Sequence, residues 1–168
     1  MLPSNGKIER PKDYNPTQLK SLLPIEFQTK SNKLVSVHSL SSILETLGDN
    51  KSSLISYLQS LLNTQIEAGN TYSQKYPLDA SEFQDYLDSK DVFVVINSGK
   101  ILPDGLEKNL EENILGNFFV RPNFVGRCAY VIMKTLNYLI SFFEFRSVMV
   151  DFWYQISIEI KELVVSWV

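Results

Sequence analysis

Asp91-Val-Phe-Val-Val-Ile-Asn97 is a short, unbroken apolar run rich in β-branched residues, closed by Ser98-Gly99. Such a run reads as a buried strand followed by a turn. Working outward from it, Ile114 to Arg121 is a second strand, with Gly116 at a bulge or close approach, and Pro122-Asn123 turns the chain. Ile101 to Asn113, between the two strands, reads as a polar connection. Upstream, Ala80 to Leu87 reads as a short helix with Ser81 as its N-cap and Phe83, Tyr86 and Leu87 on one face. Residues 51–68 form an amphipathic helix. Leu54, Leu58, Leu61, Leu62, Gln65 and Ile66 follow the 3, 4, 7 spacing of a single face, and Gly69 supplies the stop. Ile25 to Leu40 alternates loosely and suits a strand or a hairpin around Ser31-Asn32. Met1 to Pro24, with four prolines, reads as an irregular lead-in. Strands and helices mixed in this order give an α/β (α+β) class.

Composition narrows the function. The 168 residues fit one domain, and 44% apolar with 21% charged residues is ordinary for a globular protein. A net charge of −3 and a pI near 5.2 argue against nucleic acid as a partner, because binders of nucleic acid carry a basic face. A single cysteine, Cys128, permits no internal disulfide, and the polar opening Met1 to Arg10 lacks the apolar core of a secretory signal. The expectation is a cytoplasmic protein.

Two stretches carry a family resemblance. Asn63-Thr-Gln-Ile-Glu-Ala-Gly-Asn-Thr-Tyr72 and Leu115-Gly-Asn-Phe-Phe-Val-Arg-Pro-Asn-Phe-Val-Gly-Arg-Cys128 resemble segments of the fungal proline-analogue N-acetyltransferases of the GNAT superfamily. The run Asp91 to Asn97 matches the strand between them in position and character. The string Arg-Pro-Asn-x-x-Gly-Arg-Cys is the more specific of the signals. The resemblance implies the N-terminal part of a GNAT fold, residues 25–130, with a mixed, mostly antiparallel sheet and helices, in which the strands 91–97 and 114–121 lie side by side. It also implies acetyl-CoA as cofactor, a small-molecule amine or amino-acid analogue as substrate, and direct passage of the acetyl group from cofactor to amine.

The resemblance stops at Tyr130. The family continues with a strand, Val-Cys-Asn-Ala/Gly-Gly-Phe-Leu-Val, and then a loop to Arg-x-x-Gly-x-Gly and a helix. That loop presents backbone amides to the cofactor pyrophosphate at a helix N-terminus. Residues 131–168 are instead dense in large apolar residues, and no glycine follows Gly126. The codons suggest why. From Arg146 onward, the third base of each codon can be read with the first two bases of the next. Met149/Val150 then must give Gly, Phe152/Trp153 Leu, Trp153/Tyr154 Val, and Trp167/Val168 Gly. Ile158/Glu159 gives Arg or a stop, and the remaining positions all permit the family's sequence. Val131 can open an intron with GT, and Phe145-Arg146 can close it with TTTAG. The fifteen codons and two bases between these limits are not a multiple of three, so retention would shift the frame as observed. On this reading 131–168 is an intron- and frameshift-derived apolar tail outside the family fold. Without Gly or Pro it is free to be helical or extended, and Phe142, Phe143, Trp153 and Trp167 are expected to stay partly exposed.

Individual residues give little chemistry. His38, the only histidine, reads as a surface or strand-edge residue rather than a catalytic base. Cys128 beside Arg127 reads as a packed cysteine rather than a nucleophile, since no second histidine or cysteine supports it. Arg121 and Arg127 read as solvated or loop-pairing arginines, with contact to an anionic cofactor as the alternative. Glu107, Glu111 and Glu112 read as a solvated acidic loop, and no metal-ligand spacing occurs. No catalytic, cofactor-binding or metal residue can be named, and this chain is expected to be inactive. The alternatives are a non-enzymatic protein whose tail binds a partner or a membrane, and a globular protein whose tail completes the fold differently. Ala129 to Phe143 is shorter than the ~20 apolar residues of a spanning helix, so a membrane is the weaker partner.

Overall fold

The computed structural model describes residues 23–28, 32–69, 74–88, 91–99, 101–122 and 132–138. Ile25–Gln28 (β1) and Leu34–Ser39 (β2) form a hairpin, with Asn32 in the left-handed region at φ 60°. The chain then runs through Leu40–Leu47 (α1), a 3-10 turn at Gly48–Asn50, Lys51–Ala68 (α2) and Ala80–Asp88 (α3). Asp91–Ile96 (β3) follows. A 3-10 turn at Leu106–Lys108 and the single helical turn Leu110–Asn113 (α4) lead to Ile114–Pro122 (β4), and Ile132–Tyr138 (β5) pairs beside it. The five strands lie in sequence order, every neighbouring pair antiparallel. The fold is α+β.

Antiparallel register fixes which residues share a face. Directly opposed residues point the same way. Val92, Val94 and Ile96 of β3, with Ile114 and Phe119 of β4, lie under Leu54, Leu58, Leu61, Leu62 and Ile66 of α2 in one continuous core. The apolar spacing of α2 therefore is the core stripe that its sequence predicts, and Gly69 ends it as expected. At φ 67° Gly69 is in the left-handed region that a side chain disfavours, and its N–H reaches Ile66 O at 3.0 Å. The opposite face of the sheet is buried as well. Val35, Val37, Val95, Phe93 and Phe118 line it, and the Phe93 and Phe118 rings stack at 5.0 Å.

β3 and β4 pair as expected. Val95 stands opposite Gly116 but Ile96 opposite Ile114, so Leu115 is the extra residue of a bulge next to Gly116.

One expectation needs correction, and two features go beyond the sequence reading. Ser81 is not the N-cap of α3. Asp79 is: its Oδ1 accepts from Glu82 N at 2.8 Å, and Glu82 Oε2 accepts from Asp79 N at 3.0 Å, a reciprocal capping box. The polar connection 101–113 contains two helical turns, anchored by Leu106, which is fully buried. And α1 was not anticipated at all. Its signals are Ser39, which accepts from Ser42 N at 3.2 Å, the spacing Leu40, Ile43, Leu44, Leu47, and Gly48 at its end.

Of the tail, residues 132–138 are extended rather than helical, paired with β4 from Gly116↔Tyr138 to Pro122↔Ile132. Phe142, Phe143, Trp153 and Trp167 lie outside the described residues.

Because Leu58 is fully buried on α2, Leu58→Ala should destabilise the fold by about 2–5 kcal/mol. Ser56→Ala, at an exposed position of the same helix, should stay within about 0.5 kcal/mol of the parent. Urea unfolding of the two variants checks this. Equal losses would mean that the stripe is not the core.

Candidate functional site

His38 is neither at the surface nor exposed at an edge; it is 5% exposed. It stands opposite Val94, which stands opposite Asn117, so all three belong to the helix-covered face. Its Nε2 lies 2.9 Å from Ser36 Oγ, and Ser36 Oγ donates to Gly99 O at 2.8 Å. A hydroxyl has one proton, and here it is committed to the carbonyl. The imidazole Nε2–H must therefore be the donor to Ser36 Oγ, the reverse of a nucleophile–base pair. Ser36 is also fully buried, so no substrate reaches its oxygen. The pair ties β2 to the turn after β3, and burial holds the His38 pKa below its ordinary value.

Asn63, the first residue of the family-like segment, has a positional role that the sequence did not reveal. Its Nδ2 donates to Leu78 O at 3.0 Å and its Oδ1 accepts from Leu78 N at 2.9 Å, while Gln59 Nε2 donates to the same carbonyl at 3.0 Å. One amide thus grips both backbone groups of Leu78 and holds the approach to the Asp79 cap of α3. Residues 70–73, which complete that segment, lie outside the described residues.

The second family-like segment enters the sheet. Leu115 to Pro122 lies within β4, and Arg121 stands opposite Met133. Asn117 is 4% exposed, and its Oδ1 has no hydrogen-bond partner among the described residues. Arg127 and Cys128 lie outside the described residues.

Glu107, Glu111 and Glu112 line an open pocket of about 300 Å³ with Lys108, Asn109 and Leu110. Glu111 and Glu112 are exposed, as a solvated acidic run would be, though on helical turns. The hydroxyl of Tyr57 is buried without a hydrogen-bond partner among the described residues. Burial, and then the Glu111 carboxylate, push its pKa up to about 12. It stays neutral at any ordinary pH, so it is no base. Among the described residues no group of three or more His, Cys, Asp or Glu is placed to hold a metal, and no helix is long and apolar enough to cross a membrane. No model of a known protein family matches the chain.

Two outcomes follow. The folded state disfavours protonated His38, so its folded pKa is the lower one, and the stability it confers is complete above the unfolded value of 6.5. That stability should fall as the pH drops from 6.5 through the folded value. Urea midpoints between pH 7.5 and 5.5 should decline for the parent and decline less for His38→Gln; parallel declines would remove His38 as the cause. Asn63→Ala should cost about 1–3 kcal/mol in the same assay, since it leaves Leu78 N without its side-chain acceptor and Leu78 O with Gln59 alone. A loss below about 0.5 kcal/mol, the scatter of ordinary surface changes, would show that solvent replaces the grip.

Proposed function

We propose that the intact gene product is an acetyl-CoA-dependent N-acetyltransferase of the GNAT superfamily acting on a small amine or amino-acid analogue, and that this chain is an inactive form of it. The observation that carries the reading is the string Leu115 to Cys128, the most family-specific stretch of the sequence. Its first half forms β4 of a sheet with helices on one face, the kind of architecture that the resemblance implies.

The residues present do not fit the cofactor. A pyrophosphate cradle needs glycines that let backbone amides approach closely, followed by a helix N-terminus. The next described element after β4 is the strand Ile132–Tyr138, and no glycine follows Gly126. No chemical step is therefore assigned to any residue of this chain.

The pairing of β5 with β4 favours a second reading, in which the tail is native and completes the sheet in its own way. The nucleotide sequence across codons 125–168 separates the two. Splice signals flanking Val131 to Arg146, and a family-like strand and glycine loop in the shifted frame, support the first. Their absence supports the second.

Isothermal titration of acetyl-CoA into this chain should give no saturable heat at micromolar concentrations. A chain made without the segment from Val131 to the AG of Arg146 should bind acetyl-CoA and acetylate proline analogues. Tight binding by this chain would overturn its assignment as inactive, and no binding by the spliced chain would overturn the acetyltransferase assignment.

A further inference from the structure

We infer that Ile132–Tyr138 act as a surrogate strand, closing the edge of β4 in a chain that has lost the strand its shifted frame encodes. The inference rests on the intron reading for the word surrogate, and on the register alone for the closure.

β4 is nine residues long, and β3 pairs with only one of its edges. In an antiparallel strand, successive N–H groups point alternately to the two sides. Between Gly116 and Arg121, half of the amides therefore face β3 and half face away. An edge of this length left open is a template for pairing with another chain. Ile132–Tyr138 takes up that edge over seven consecutive register pairs, Gly116↔Tyr138 through Pro122↔Ile132.

The segment's sequence suits the role without any history of selection for it. Ile-Met-Lys-Thr-Leu-Asn-Tyr has no Gly or Pro, carries a single charge at Lys134, and includes two β-branched residues and a terminal aromatic. Ladder hydrogen bonds come from the backbone, so any strand-competent sequence of the right length can supply them. Retention of the intron thus has two separate consequences. The cofactor loop disappears, yet β4 still gains an outer neighbour, and β5 takes its place as the last strand of the described sheet.

Residue-resolved amide exchange on the 168-residue chain tests this directly. All amides from Gly116 to Arg121 should be protected to a similar degree. If β5 does not pair, every second amide of β4 should exchange at least about tenfold faster than its neighbours, as a solvated edge does, and that sawtooth would overturn the inference. Replacing Thr135 and Leu136 together by proline removes two consecutive N–H donors, one of which must face β4. The variant should convert the even pattern into the sawtooth while β2 and β3 stay protected; an unchanged even pattern would overturn the inference. Should the variant unfold, the parent's own pattern decides. The measurement does not involve acetyl-CoA or splicing, so its failure leaves the acetyltransferase reading standing, whereas failure of the intron reading would leave the pairing and remove the surrogate role.

Discussion

Everything else in the structure depends on the burial of one helical stripe against one strand. Leu54, Leu58, Leu61, Leu62 and Ile66 of α2 cover Val92, Val94 and Ile96 of β3, and neither element could stay ordered in water without the other. This contact decides the handling of the polar groups nearby. Ser36, His38 and Asn117 share the covered face, so each must find a partner inside the protein or leave a polar atom unsatisfied. Ser36 and His38 satisfy one another and Gly99. Asn117 Oδ1 is left over among the described residues, in the strand where the family-like string begins.

The elements legible in the sequence are those whose signals are repeated. α2 shows five apolar residues in period over eighteen positions, and β3 shows an unbroken apolar run; both were readable to within a residue. The features that were not legible rest on single contacts. Ser81 and Asp79 are both acceptable N-caps by residue type, and the choice between them is made by the reciprocal bonds of Asp79 with Glu82. Leu106 is one leucine in a polar stretch, and only the fold shows that it is buried. His38 looked superficial because the residues around it are polar. Yet Ser36 and Ser39 are polar residues turned inward, one bonded to His38 and one capping α1. Helix α1 was readable, but its cap is also the last residue of β2, and the alternation of the strand masked the start of the helical period.

Sheet burial also limits where chemistry can occur. With Val35, Val37, Phe93, Val95 and Phe118 buried on one face and the leucine stripe on the other, the described residues in the middle of the sheet offer no open surface at which a substrate and a catalytic group could meet. Chemistry would have to be built at the end of a strand or beyond it, where the backbone is free to present amides. In the acetyltransferase reading that place is the segment after β4, which is where the resemblance breaks off.

In the acetyltransferase reading, fold and function part company at Tyr130 for a physical reason. Pairing along a strand edge is indifferent to side chains, because the ladder uses groups that every residue except proline carries. Cradling a pyrophosphate is not indifferent. It needs glycine at fixed positions, so that the backbone can come within hydrogen-bond distance of an anion, and a helix whose first amides have no other partner. A sequence drawn from an intron can meet the first requirement readily and the second almost never. Ile132–Tyr138 meets the first over seven residues and has no glycine with which to meet the second. A frameshift at this point should remove cofactor chemistry completely while leaving the β2–β3–β4 sheet and its helical cover intact. On that reading cofactor chemistry goes and the fold stays.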